Sequence, residues 1–203
     1  AKTAEEGAIS SQVLYTASSG IRTFVPSNDS LGTAWRNVSF NDGSWIAGSG
    51  GVGYDENPTY AALIGVDVET QMNDNNTSVY VRSVFDVTSP SDFQGLILRM
   101  KFEDGFVAFL NGQQVASFNA PGALTWNSEA TALHDDGDAQ VYLDFDISSH
   151  WNECAGVPWP ERQSHEFGFP LPARIGWIAG VWRIGRQAAL HLHRVESARV
   201  AEW

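Results

Sequence analysis

Cysteine is almost absent. Cys154 stands alone in 203 residues, which excludes an internal disulfide framework and any cysteine-rich zinc site. Basic residues are scarce as well: 12 Lys and Arg face 24 Asp and Glu, a formal charge of −12. Such a chain repels a nucleic-acid phosphate backbone, so nucleic acid is not an expected partner, while neutral ligands and cations stay compatible. No apolar run approaches the ~20 residues of a membrane-spanning helix, so no membrane span is expected. A signal peptide is missing too, and Ala1 reads as a trimmed mature start or as the edge of an excised piece. Helix-forming stretches rich in Ala, Leu, Glu and Lys are scarce before residue 180.

What is present favours strands. Hydrophobic residues make up 43% of the chain, enough for a sizeable core, and 19 glycines accompany many Thr, Val, Phe and Trp residues. Period-two alternation predicts strands at Ser78–Val87 and Val141–Ile147, the latter with Val141, Leu143 and Phe145 on one face. Leu96–Phe102 and Phe106–Leu110 flank Glu103-Asp104-Gly105, a hairpin signature, and Asn111-Gly112 reads as a second hairpin turn before a strand at Gln114–Phe118. A short strand is expected at Gln12–Thr16 in a lead-in over residues 1–20. Strand, turn, strand, turn, strand is a meander, and the class that follows is all-β, an antiparallel sandwich or barrel spanning residues 21–150.

Two segments carry a resemblance. One is Trp35, then Phe40-Asn41-Asp42-Gly43-Ser44-Trp45, then Gly51-Val52-Gly53-Tyr54. The other is Tyr80-Val81-Arg82-Ser83-Val84-Phe85 followed by Asp104-Gly105-Phe106-Val107-Ala108-Phe109-Leu110-Asn111-Gly112. In order and spacing over roughly residues 30–150 they resemble a bacterial galactose-binding-like family of jelly-roll accessory domains. The resemblance implies a jelly-roll β-sandwich. It implies function only loosely: a non-catalytic carbohydrate-binding or surface-attachment module of a secreted or cell-surface bacterial protein, with a polysaccharide or other glycan as partner. Many galactose-binding-like folds hold a structural calcium, and here the loop acids Asp42, Asp55 and Glu56 are the expected ligands.

Each motif also has a structural explanation. Trp35, Phe40 and Trp45 are expected to pin the opening loop to the sandwich, and both tryptophans to be buried. Asp104-Gly105 and Asn111-Gly112 would supply positive-φ turn positions. For a sugar, Tyr54, Tyr60 and Trp126, with Asn127 beside the last, stand in polar loops where a ring could stack and hydroxyls find partners. Two other functions stand against this one. A small glycoside hydrolase on the same scaffold would need two carboxylates, with Asp55, Glu56, Glu103 and Asp104 as the candidates, none with a motif behind it. A purely structural spacer would need no site at all.

Residues 151–203 differ in composition. Six basic and 19 acidic residues precede residue 151, six and five follow, and the tail contains no Lys, Asp or Tyr but five of the eight tryptophans. The family's usual ending, with Ser-Ser-Asp-Phe, is missing. Back-translation of Pro158–Leu171 with free choice of degenerate bases, read one base later, can encode His-Gly-Leu-Asn-Val-Ser-Leu-Thr-Ser-Ser-Asp-Phe-Leu. Two readings therefore stand for the tail, a frame shift between about His150 and Pro158 and a divergent ending. Its apolar run Ile175–Trp182 must in either case be covered, against the sandwich or against a second copy of the chain. Sequencing the coding DNA separates the two readings: the frame shift requires that another frame over this region spell Ser-Ser-Asp-Phe.

Overall fold

The computed structural model describes residues 13–55, 61–86 and 95–150, and the backbone of 172–179 and 189–195. Each expected strand segment forms a strand: Val13–Tyr15 (β1), Val79–Asp86 (β6), Gly95–Lys101 (β7), Phe106–Leu110 (β8), Gln113–Phe118 (β9) and Leu143–Asp146 (β10). Further strands lie at Ile21–Phe24 (β2), Ile46–Gly48 (β3), Gly51–Gly53 (β4), Ile64–Asp67 (β5), Pro172–Ala179 (β11) and Ala189–Val195 (β12). Helix among the described residues is limited to Glu69–Met72 (α1) and a few 3-10 turns, so the class is all-β.

The strands form an antiparallel four-stranded sheet in the order β1-β12-β7-β10 and an antiparallel six-stranded sheet in the order β3-β2-β6-β11-β8-β9. A short parallel pair, β4-β5, stands apart. Both sheets contribute to one core. Leu96, Leu98 and Met100 of β7 meet Val79, Val81 and Phe85 of β6 and Phe106, Ala108 and Leu110 of β8 in a single buried cluster. Because side chains alternate along a strand, the other faces of β6 and β8 need separate cover. Tyr80, Val107 and Phe109 receive it from Trp35 and Trp45. That explains why β8 is buried at all five positions and shows no polar alternation.

The opening loop is held by stacking and by one buried cation. Trp35 is fully buried and lies on Tyr80 with ring centroids 4.3 Å apart and planes 14° apart, and Trp45 stacks on Phe24. Burial pushes the Tyr80 hydroxyl above its usual pKa range. Arg82, 3% exposed, points into the same loop. Its Nε donates to Asp42 Oδ2 at 2.8 Å, and its terminal nitrogens donate to the carbonyls of Trp35 and Asn37. Both tryptophans are buried, as expected from the sequence.

One expected turn is not a hairpin. Asn111-Gly112 does join the hairpin β8-β9, with φ of 51° and 89°. Glu103-Asp104-Gly105 instead carries the chain from one sheet to the other, because β7 pairs with β10 and β12 and not with β8. The reason is local. Only Asp104 of the three has positive φ (55°), and its carboxylate turns inward to accept the His134 N–H at 3.0 Å. Gly105 is required by a close approach: a Cβ there would lie 2.7 Å from the Phe118 carbonyl oxygen. The glycine-rich stretch around residue 50 follows the same logic. A Cβ on Gly65 would sit 1.9 Å from the Ser49 carbonyl oxygen, so the close contact there is backbone against backbone. Val141, placed with Leu143 and Phe145 by alternation, precedes β10 and is exposed.

These contacts set a stability order measurable by urea unfolding. Trp35→Ala should cost about 3–5 kcal/mol, as large aromatic truncations in cores do. Arg82→Ala, which strands Asp42 and two carbonyls, should cost about 3–5 kcal/mol. Arg99 pairs with Asp144 across β7 and β10, but both side chains are well exposed, so Arg99→Ala should change stability by about 0–1 kcal/mol. Equal effects of Arg82→Ala and Arg99→Ala would contradict the structure.

Candidate functional site

A cavity of about 600 Å³ opens between two polar segments. The first segment begins at α1. Asp67 Oδ1 accepts the Glu69 N–H at 2.8 Å, which starts the helix, and buried Met72 anchors it. The chain then leaves through Asp74 at φ 56°, a conformation Asp tolerates better than most residues. Asn76 closes the turn by donating its amide to the Gln71 carbonyl at 2.7 Å. Asn73, Asn75, Asn76 and Thr77 are thereby laid along one wall.

The second wall comes from the connection between β9 and β10. Asn119, at φ 46°, donates its side-chain amide to the Asp104 carbonyl at 2.8 Å and to that of Ala132 at 3.3 Å, while its own carbonyl accepts the Thr131 N–H. His134 stacks on Phe102, centroids 4.6 Å apart. The two walls are tied together where Thr77 Oγ1 donates to the Asn127 carbonyl at 2.7 Å and Ser78 Oγ donates to that of Ser128 at 3.1 Å. Glu129 and Thr131 then face the asparagine-rich segment, and Tyr54, following β4, closes the inner end.

The lining carries carboxylates at Asp74, Asp104 and Glu129 and no basic side chain among the described residues. Amide and hydroxyl groups supply both donors and acceptors. This arrangement can hydrogen-bond a neutral polyhydroxyl compound, and it disfavours an anion.

The residues singled out in the sequence are distributed unevenly around this cleft. Tyr54 and Asp104 line it. Tyr54, however, is 4% exposed and belongs to the main core, so it offers a wall and not an open stacking platform. Asp104 is buried, and one of its oxygens clamps the β9–β10 connection through His134. Glu103 is buried beside it. Trp126 is half-buried and Asn127 exposed in the connecting loop, where the Asn127 carbonyl holds Thr77. Asp55 follows Tyr54 and is half-buried. Glu56 and Tyr60 lie outside the described residues. Asp42 lies elsewhere, against Arg82. Among the described residues, which do not include Glu56, no three of His, Cys, Asp and Glu converge, and Asp42 Oδ2 accepts from Arg82. Asn73, Asn75, Thr77, Glu129 and Thr131 were not among the expected residues. Asn73-Asp74-Asn75-Asn76 is a polar stretch that carries no motif of its own.

No protein-family model matches the chain, and no curated protein matches it. Among solved structures it is similar to a β-glucuronidase from an uncultured Clostridium species, with 12% identity and a TM-score of 0.49 over 92% of this chain and 29% of that one. A β-glucuronidase of Ruminococcus gnavus in complex with D-glucaro-d-lactam is similar at 7% identity and a TM-score of 0.48, over 92% and 30%. A β-glucuronidase of Bacteroides uniformis is similar at 11% identity and a TM-score of 0.47, over 90% and 18%. The chain thus spans less than a third of the length of each of these proteins.

Proposed function

We propose that this chain is a non-catalytic carbohydrate-binding or surface-attachment module of a secreted bacterial protein, built as a galactose-binding-like jelly-roll sandwich. The observation that carries the reading is the cleft between Asn73–Thr77 and Glu129–Leu133, walled by amides and hydroxyls around Tyr54. A sugar hydroxyl donates and accepts, and such a wall answers both needs. The volume, about 600 Å³, lies within the range of small-ligand sites. A neutral glycan suits the carboxylate-bearing lining better than an acidic one. For the fold, support comes from the two sheets that share one core and from the direct contacts between the two motif segments, Trp35 with Tyr80 and Asp42 with Arg82. A non-catalytic role agrees with the work Asp104 does as a backbone clamp. The site is open on one side, buries little of a long polymer and should bind weakly.

Affinity electrophoresis checks this reading. Purified protein should be retarded in a gel containing a neutral glucan, xylan or galactan and should release no reducing sugar from any of them. Replacing Glu129 and Thr131 together by Ala should weaken retardation about threefold to tenfold, the loss of one or two net hydrogen bonds. Turnover abolished by replacing a single carboxylate among Asp55, Glu56, Glu103 and Asp104 would make the protein a glycoside hydrolase instead. Retardation by no glycan would leave a spacer.

A further inference from the structure

A second cavity, about 420 Å³, shares no lining residue with the cleft. It lies against the outer side of β8 and β9, under the 3-10 turn Ala34–Arg36. Thr33, Gln114 and Ser117 give it polar walls, Val107, Pro121 and Leu124 apolar ones, and Arg36 lines it. No acidic residue does so among the described residues, in a chain whose net charge is −12.

Arg36 is unlike Arg82 and Arg99, each of which faces a carboxylate. Among the described residues no carboxylate lies within 4.0 Å of Arg36. Its guanidinium sits 4.3 Å over the Phe109 ring centroid and 5.6 Å from that of Trp35. The Nε atom is buried and has no hydrogen-bond partner among the described residues. Burial pulls the Arg36 pKa down, an effect that Tyr80 partly offsets. Leaving a buried charged donor unmade is costly, and Arg36 is the one charged side chain among the described lining residues of the cavity.

We propose that this cavity is a subsite for the carboxylate of a uronic-acid residue, an acidic sugar bound apart from the neutral-glycan cleft. A guanidinium is a planar fork of donors that matches a planar carboxylate. One positive charge balances one negative charge. A dianionic sulfate or phosphate would find a single cation and neutral side chains, in a protein that repels anions overall. The remaining walls suit a pyranose ring: Thr33, Gln114 and Ser117 can bond its hydroxyls, and Pro121 and Leu124 can meet its C–H face. The choice of a sugar as bearer of the carboxylate rests on the glycan-binding reading above.

The test is a titration of ¹⁵N-labelled protein followed at the Arg36 Nε–Hε resonance. Sodium glucuronate should move that signal, while glucose, and sodium sulfate at matched ionic strength, should not. Arg36→Gln should weaken glucuronate binding about tenfold or more, the range for a charge-assisted hydrogen bond. Arg36→Gln also removes packing on Phe109, so a second variant is needed. Gln114→Glu places a carboxylate at an exposed wall position, keeps Arg36 stacked, and should likewise abolish the shift. An unmoved resonance with glucuronate, an equal response to sulfate, or unchanged binding in Gln114→Glu would each overturn the proposal. Loss of the glucuronate response with retardation by neutral glycan intact would sink this subsite alone. The converse result would sink the cleft alone.

Discussion

Everything in the upper part of the molecule depends on Arg82. It is a buried cation on a central strand, and burying a charge is tolerable only when partners replace its hydration. The partners are Asp42 Oδ2 and the carbonyls of Trp35 and Asn37, all in the loop between β2 and β3. The loop therefore cannot leave without stranding the charge, and while it stays Trp35 and Trp45 cover Tyr80, Val107 and Phe109. In the fold the neighbour of Asp42 is the Arg82 guanidinium. The two motif segments of the sequence are, physically, one cluster.

That cluster also places the Ala34–Arg36 turn. The 3-10 turn that carries Trp35 inward carries Arg36 over Phe109, so the pinning of the loop and the presentation of Arg36 share a cause. On the opposite side, the Glu103–Gly105 crossover and Asn119 hold the β9–β10 connection against the asparagine-rich segment. One long connection, residues 119–134, thus borders both cavities, supplying Pro121 and Leu124 to one and Glu129 and Thr131 to the other.

The tail has an unexpectedly central position. β11 lies between β6 and β8, and β12 between β1 and β7, so removing them would divide each sheet. A strand in such a place forms its ladder through backbone groups that every non-proline residue carries. Its ladder therefore asks little of the particular sequence. A run such as Ile175-Gly176-Trp177-Ile178 can form it whichever of the two origins is correct. Pro172–Ala179 pairs with β6 along its length, and Ile175–Ile178 also with β8.

By itself the sequence determined the all-β class and six of the twelve described strands, because alternation and turn residues are local signals that need no partner to be read. It also determined the burial of Trp35 and Trp45, since large aromatics among small polar residues have few other places to go. Which sheet each strand joins was decided by the tertiary structure. The same Asp-Gly pair can close a hairpin or carry the chain across a core, and the choice at residue 104 rests on His134, Asn119 and Phe118, which lie 14 to 30 positions further along the chain. The cleft was illegible for a related reason. Its walls are ordinary Asn, Thr and Glu residues, more than 50 positions apart, that become a site only when Thr77 and Ser78 bind the carbonyls of Asn127 and Ser128. Arg36 was equally silent, because its chemistry lies in what it lacks: an unpaired charge is a property of the space around a residue, and a sequence does not contain that space.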